Sequence, residues 1–332
     1  MLTARLGILE LKAPFRIFGH LFESVPVLIA SLSADGHTGN GEAAGVYYLK
    51  DTPARMMHTI EMVKAEIEKG LSRQELRRLL PCGGARNAID CAMWELEALS
   101  TRSAVWQLAG IPQPRPLVTT MTLGADDPDA MAKGAIALKS AKALKLKLTG
   151  SADLDEARVR EVRRARPDVW LGVDANQGFT PKSIEPFLST LADCRVSLLE
   201  QPFARGREID MRDIDFPVPT AADESCLNLV ELEEIHGLFD IVNIKLDKCG
   251  GLTEALMMAK RARELGMKVM VGNMIGSSLA MAPGFVLGQL CDFVDLDGPI
   301  SLVNDPPPTV SYINGEISCP LEVWGGSPAT VS

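Results

Sequence analysis

Five charged residues recur through the middle of the chain in the order base, acid, acid, acid, base: Lys147, Asp174, Glu200, Asp223 and Lys245, separated by 27, 26, 23 and 22 residues. Each stands in or just after a short apolar run. Lys147 lies in Leu144-Lys145-Leu146-Lys147-Leu148; Asp174 follows Leu171-Gly172-Val173, Glu200 follows Leu198-Leu199, Asp223 follows Ala221-Ala222, and Lys245 follows Val242-Asn243-Ile244. Three carboxylates without His or Cys beside them form a hard oxygen site. Such a site suits Mg²⁺, with positions left for water and an anionic substrate, and leaves Mn²⁺ open as a replacement. Residues at i and i+2 of a strand point the same way, so Lys145 and Lys147 share a face. Two ammonium groups close together near a divalent cation disfavour each other's charge. That draws a lysine pKa from about 10.4 toward neutrality and makes a general base. Lys245 comes from the opposite side of the set, with three strands between. A base on each face of one carbon removes a proton from one side and returns it from the other, and the product is an epimer.

Taken singly, each residue has a plainer reading. Lys145 and Lys147 fit the wet side of an edge strand, Asp174 and Asp223 fit helix caps, the latter with Ser225 nearby, and Glu200 before Gln201-Pro202 fits a turn. Caps and surface lysines have no reason to recur at one spacing in this order, so the joint reading is preferred.

Positioning five such groups at one level requires a repeating scaffold. Eight strand-length runs alternate with helical stretches: 117–123, 143–148, 169–173, 196–199, 218–222, 241–244, 269–271 and 293–296. Eight parallel β/α units close a barrel, and a unit of a barrel takes about the observed separation. The rival open sheet lacks a Gly-x-Gly-x-x-Gly after a strand. The active face of a barrel is the C-terminal end of its strands, where all five residues fall. Ahead of the barrel, the runs Val25–Ala30 and Gly45–Tyr48 around Ala34-Asp35-Gly36-His37 predict an antiparallel meander, and helical periodicity follows over 52–80 and 85–108. Pro112, Pro114 and Pro116 mark a linker. The expected organisation is an α+β capping domain over 1–115, a β/α barrel over 116–303, and a C-terminal segment, 304–332, that returns to the cap.

The chain has 332 residues, 46% hydrophobic and 23% charged, a globular profile that excludes a disordered chain. With 34 Lys and Arg against 43 Asp and Glu, the net charge of −9 argues against nucleic acid and anionic membrane surfaces as partners. Seven scattered cysteines, none in a Cys-x-x-Cys pair, point to a reducing compartment, and the N-terminus lacks the pattern of a secretory signal, so the cytoplasm is expected. Val269–Cys291 is uncharged for 23 residues, but Gly272, Asn273, Gly276, Ser277, Ser278 and Pro283 break it into the parts of a buried α/β unit.

The residues resemble the enolase superfamily, whose members use a Lys or His base with Mg²⁺. The matching stretches are Lys145-x-Lys147, Asp174-Ala175-Asn176, Leu199-Glu200-Gln201-Pro202, Ala222-Asp223-Glu224-Ser225 and Asn243-Ile244-Lys245-Leu246-Asp247-Lys248-Cys249-Gly250-Gly251. They are similar to the muconate-lactonizing subgroup, and Gly84–Trp94 fits the same family. Val294-Asp295-Leu296-Asp297-Gly298-Pro299 resembles the Asp-x-Asp of dipeptide epimerases of the L-Ala-D/L-Glu type. The resemblance implies a modified TIM barrel of (β/α)7β type, in which Asp174, Glu200 and Asp223 bind one Mg²⁺. Lys147 and Lys245 are then the acid/base pair, Lys145 assists the enolate, and Asp295 and Asp297 hold the α-ammonium of a dipeptide. Two carboxylates at i and i+2 make sense as a cation site, although Asp297-Gly298-Pro299 also reads as a turn.

Glutamate-specific relatives carry an arginine in the mobile loop of the first domain. The corresponding stretch here has Arg16 at its start, then Phe18, His20 and Phe22. An apolar side chain packed on Phe18 or Phe22 and an acid met by Arg16 or His20 are both open, as is a purely structural use of the aromatics. The same lysines and acids serve N-acylamino acid racemases and o-succinylbenzoate synthases. A Schiff-base aldolase and a non-enzymatic binding protein are more distant alternatives. The oligomeric state is not set by the sequence, a homo-oligomer included.

Overall fold

The structure, a computed structural model, describes residues 1–326; residues 327–332 of the expected C-terminal segment lie outside them. The chain opens with β1 (Leu2–Ile17), β2 (His20–Ala34) and β3 (His37–Ala43), an antiparallel sheet in the order β1-β2-β3. The meander is present, with two differences from the sequence reading. The strand Leu2–Ile17 carries no strict alternation and was not anticipated. The expected strand at Gly45–Tyr48 is instead a loop leading into a 3-10 turn over Tyr47–Leu49, and the third strand is the polar, glycine-bearing 37–43. Its glycines have a packing reason. A Cβ on Gly39 would lie 2.1 Å from the Ala92 carbonyl oxygen, and one on Gly41 would lie 2.1 Å from that of Ala88, so helix α3 (Gly84–Thr101) seats directly on the strand backbone.

Before α3 come α1 (Pro53–Ile67), capped by Thr52 with Pro53 in its first turn, and α2 (Arg73–Leu79), opened by a Ser72/Glu75 capping box. The short α4 (Val105–Leu108) follows α3. Leu28, Ala30, Met56, Ile60, Leu76 and Ile89 are among the side chains that form the core between this sheet and its helices.

The barrel follows. The run expected at 117–123 divides: β4 (Leu117–Val118) leaves the barrel sheet, and β5 (Thr120–Leu123) begins it. The order continues α5 (Pro128–Ala137), β6 (Ala143–Lys147), α6 (Ala152–Ala165), β7 (Trp170–Asp174), α7 (Pro181–Asp193), β8 (Leu198–Glu200), β9 (Thr220–Ala222) and α8 (Leu229–Ile235). Then come β10 (Ile241–Lys245), α9 (Leu246–Cys249), α10 (Leu252–Glu264), β11 (Lys268–Gly272), α11 (Ser278–Gly288) and β12 (Phe293–Val294). The eight strands β5 to β12 form one parallel sheet in sequence order. Its seam is bridged by Leu296 N–H to Thr119 Oγ1 (2.9 Å), Thr122 N–H to Asp297 Oδ2 (2.6 Å) and the Thr120 hydroxyl to Asp295. After β12 a 3-10 turn, Gly298–Ser301, stands where an eighth helix would be.

Period-2 alternation gives the barrel interior two layers. Trp170, Leu198, Ala221, Ile241, Met270 and Phe293 pack together as an apolar floor. Two residues further along four of those strands stand Glu200, Asp223, Asn243 and Asp295, so the charges rest on a dry base. In the C-terminal segment β13 (Ser311–Ile313) pairs with β14 (Glu316–Ser318), which pairs with β4, and Trp324 Nε1 donates to the Asn40 carbonyl in the first sheet (3.0 Å). No helix among the described residues is long and apolar enough to cross a membrane, and Val269–Cys291 is split between β11 and α11. All seven cysteines are free.

Candidate active site

Register sets the neighbours. Lys147 pairs with Asp174 across β6 and β7, and Asp174 pairs with Glu200 across β7 and β8. Asp223 follows the last residue of β9, and Lys245 ends β10. All five expected residues therefore meet at one end of the barrel. Asp174, Glu200 and Asp223 each offer a carboxylate oxygen, and these oxygens lie within 4.8 Å of one another, fully buried. Neither aspartate caps a helix: Asp174 Oδ1 accepts from the Asn176 N–H (2.9 Å), and the following helices are capped by Thr180 and Asn228.

The lysines flank this trio. Lys147 Nζ lies 2.6 Å from Asp174 Oδ2, and Lys245 Nζ lies 2.7 Å from Asp223 Oδ2, at the other end of the acid row. Lys145 sits beneath, its Nζ 2.6 Å from Glu200 Oε2, 2.9 Å from Asp295 Oδ2 and 3.3 Å from Asp174 Oδ2. The Glu200 contact is an ion pair without hydrogen-bond geometry, which leaves Oε2 with no donor.

Electrostatics differ from the sequence expectation in one respect. Burial works against both ammonium groups, yet Asp295, Glu200 and Asp174 hold the Lys145 pKa well above its ordinary value, and Asp223 does the same for Lys245. Repulsion between lysines loses to attraction by acids at under 3 Å. The acids divide. Burial and the neighbouring Asp174 push Glu200 up to about 7. Burial is outweighed at Asp174 by Lys147 and Lys145, and at Asp223 by Lys245 and Lys248, so both stay below the usual carboxylate range. Three oxygen donors crowded in a dry pocket, one with an undonated oxygen and a pKa raised by its neighbour, fit a divalent cation.

Two lobes open above the trio, and Lys147 and Lys245 line both. The larger, about 410 Å³, is walled by the β1–β2 hairpin and the 47–49 turn through Ile17, His20, Phe22, Tyr47 and Tyr48, and by Ile275. Its rings form a cluster: the His20–Phe22 centroids are 4.2 Å apart, His20–Tyr47 5.0 Å and Phe22–Tyr47 5.3 Å. The smaller lobe, about 220 Å³, carries Asp295 and Asp297. These two acids are not equivalent. Asp295 is buried and engaged by Lys145 and Thr120, whereas half-buried Asp297 accepts from the Thr122 N–H, and burial with the neighbouring Asp295 pushes it up to about 6.

The structure does not bring every expected residue to the site. Arg16 is exposed and lines a separate depression against Gly124 and Asp126, its carbonyl accepting from Ala125 N–H. Phe18 is 44% exposed at the hairpin tip and lines neither lobe. The expected loop is itself a continuation of the β1–β2 hairpin, with Ile17 opposite His20. A depression of about 670 Å³ between α2, α3 and the first sheet shares no residue with the lysine-lined lobes.

Four contributors had no role assigned from the sequence. Asn243 Nδ2 donates to Glu200 Oε1 (2.8 Å), and Lys248 Nζ lies 2.6 Å from Asp223 Oδ1. Buried Glu224 lies 3.5 Å from Asn176 Nδ2, with its Oε2 unpartnered, and Tyr47 forms part of the larger lobe's wall. A signal existed for Lys248, a second lysine three residues after Lys245 in an apolar context. Tyr47 had none, because its placement depends on the cap's docking.

Models of known families match both parts of the chain: "Mandelate racemase / muconate lactonizing enzyme, N-terminal domain" over residues 7–110 and "Enolase C-terminal domain-like" over 129–294. The chain belongs to the enolase superfamily. Within the superfamily it is 37% identical over 307 residues to L-Ala-D/L-Glu epimerase of Escherichia coli, covering 92% of this chain and 96% of that protein. It is 34% identical over 331 residues to the hydrophobic dipeptide epimerase of Roseobacter litoralis, covering 96% and 95%. A solved structure of an enolase family member from Agrobacterium tumefaciens with homology to dipeptide epimerases, with bound sodium and L-Ala-L-Glu, superposes with a TM-score of 0.94. It is 37% identical, with 98% of this chain and 99% of that chain covered.

Proposed function

We propose that this chain is a Mg²⁺-dependent dipeptide epimerase that moves the α-proton of the C-terminal residue by a two-base 1,1-transfer. The observation that carries the reading is the placement of Lys147 and Lys245 on opposite ends of one acid trio, both at the junction of an acidic and an aromatic lobe. Relatives in the same superfamily support it: the Enterococcus faecalis structure described as a dipeptide epimerase complexed with Mg and L-Leu-L-Tyr superposes with a TM-score of 0.88 at 27% identity.

Asp174, Glu200 and Asp223 would hold the ion. A bound Mg²⁺ supplies Lewis-acid stabilisation of the charge that builds on the substrate carboxylate as the α-proton leaves. One lysine amine accepts the proton as the α-carbon–hydrogen bond breaks and its electron pair enters the enolate. The ammonium of the opposite lysine then delivers a proton to the other face, and the re-formed bond has inverted configuration. The carboxylates that raise the Lys245 pKa are those that would hold the cation, so a bound ion would compete for the counter-charge that holds the ammonium. To Lys145, which lines neither lobe and sits beneath the acids, we assign a fixed positive charge that acts on the enolate from below without touching substrate. Asp297, with Asp295 behind it, receives the dipeptide's α-ammonium.

The side chain of the epimerised residue faces the aromatic lobe. With Arg16 outside and Phe22, Tyr47 and Ile275 in the wall, we assign it a preference for apolar or aromatic side chains, with His20, Glu23 and Ser24 as the polar hairpin residues that line the lobe. The test is a dipeptide library incubated in D₂O and read by mass spectrometry. Deuterium uptake in L-Ala-L-Xaa dipeptides supports the reading. Uptake confined to N-acylated amino acids, the substrates of a racemase relative such as the N-acetyl-D-glutamate racemase of a Pseudoalteromonas species (37% identical over 258 residues), overturns it.

A further inference from the structure

We infer that Lys248 is a positioning residue that fixes the orientation of Asp223 and thereby divides its two oxygens, Oδ1 for the protein and Oδ2 for the reaction site. The inference rests on the reading of Asp223 as a metal ligand. Lys248 lines neither lobe and its side chain is 1% exposed, so it never meets substrate.

An ammonium has three protons to donate, and all three of Lys248 find acceptors. They are Asp223 Oδ1 at 2.6 Å, the Asp223 main-chain oxygen at 2.5 Å and the Asn243 main-chain oxygen at 2.9 Å. A side chain saturated in this way has one geometry. It grips the same residue by backbone and carboxylate at once, which stops rotation of the Asp223 carboxylate. Oδ2 is then left facing Lys245, 2.7 Å away.

The lysine is held as firmly as it holds. It sits on α9, a single helical turn ended by Gly250 and Gly251, and that turn is clamped by α3 of the cap. Arg86 Nε donates to the Gly250 carbonyl (3.2 Å), and Arg86 Nη2 donates to the Cys249 carbonyl and pairs with Glu254 (3.0 Å). Asn243, which shares its carbonyl with Lys248, uses its own side chain to orient Glu200. Two of the three carboxylates are thus aimed from β10 and the turn after it.

Charge and orientation predict opposite signs. A buried cation beside a ligand repels a divalent ion, so removing it tightens metal binding if charge is all it contributes. Loss of an outer partner that orients a ligand instead costs about 10- to 100-fold in metal affinity. The experiment is Mn²⁺ binding to the chelator-treated full-length protein, read by EPR, for wild type, Lys248→Met and Lys248→Gln, with far-UV circular dichroism and Tm recorded for each. Wild type is expected to bind one Mn²⁺ per chain, and Asp223→Asn to lose it; absence of binding in wild type overturns the metal-site reading and this inference with it. Given binding in wild type, Lys248→Met is expected to weaken it by about tenfold or more, with Lys248→Gln, which keeps two N–H donors, in between. If the Met variant does not fold, the Gln variant decides alone. Mn²⁺ affinity equal to or tighter than wild type in the folded variant overturns the inference, and a lowered Tm with unchanged affinity reduces Lys248 to a structural group.

Discussion

Lys147 and Lys245 stand at opposite ends of one row of acids, the first 2.6 Å from Asp174 Oδ2 and the second 2.7 Å from Asp223 Oδ2, while both border the two lobes that open above. A planar carbon placed over the row presents one face to each amine. Lys147→Ala and Lys245→Ala are each expected to abolish epimerisation, a loss of at least about 10³-fold given the usual contribution of a general base. Each variant should still exchange the α-proton with D₂O from one stereoisomer only, opposite in the two cases. NMR of the substrate in D₂O reads this directly, and full epimerase activity in either variant would falsify the two-base assignment.

Asp297, in the role proposed for it, is expected to give the reaction a pH dependence. Burial and the neighbouring Asp295 raise its pKa to about 6, above the ordinary aspartate value. The carboxylate is charged above that pH and neutral below it, so attraction for a cationic α-ammonium is lost as pH falls through about 6. In wild type kcat/KM should drop over that interval, and Asp297→Asn should flatten the limb while raising KM with little change in kcat. Profiles measured from pH 5 to 8 on one dipeptide decide the matter; an unchanged KM in the variant removes Asp297 from substrate binding.

Gly272 keeps space for two neighbours on β10. A Cβ there would lie 2.5 Å from Asn243 Oδ1 and 3.0 Å from Lys245 Cε. Gly272→Ala is expected to displace both side chains, lowering stability by about 1–3 kcal/mol, as overpacking does. A misplacement of about 1 Å at a reacting group costs up to about 10²-fold in rate, so kcat should fall far more than KM rises. Wild-type kcat in a folded Gly272→Ala protein contradicts the geometry.

The aromatic lobe sets a contrast between hairpin residues. Phe22→Ala should raise KM for dipeptides with a C-terminal aromatic side chain by about 10-fold or more, as expected for about 1–3 kcal/mol of lost apolar contact in a pocket. Arg16→Ala should leave the same constants within error, since Arg16 lies in a different depression. A large Arg16 effect on a C-terminal Glu substrate would instead show that the hairpin rearranges to bring the guanidinium in.

Chelation separates activity from fold. Lys145, Lys147, Lys245 and Lys248 pair with Asp174, Glu200, Asp223 and Asp295, so the acids have counter-charges within the protein. EDTA is expected to abolish turnover, Mg²⁺ to restore it, and the far-UV circular dichroism to stay unchanged throughout. Unfolding on chelation would assign the ion a structural role.

The amino-acid sequence by itself determined the repeat. Period-2 alternation and unit spacing oblige Lys147, Asp174, Glu200, Asp223 and Lys245 to one level of successive parallel strands, with Lys145 one layer below on the same face, because side-chain direction and β/α unit length are local properties. It also determined that the acids come without His or Cys beside them, the pattern of a hard-cation site. Only the tertiary structure decided what faces the site from a distance. The strand Leu2–Ile17 forms because β2 pairs with it, and the Gly45–Tyr48 run is a turn in the wall of the larger lobe, its Gly45 N–H donating to Asp247 Oδ1 of the barrel. Arg16 falls outside and Phe22 inside through the register of one hairpin. The pKa values of Lys145 and Lys245 are raised rather than lowered because acids from other strands arrive within 3 Å, which the sequence neighbours of either lysine do not foretell. Distance across a barrel mouth depends on strand tilt and closure, which no window of sequence contains.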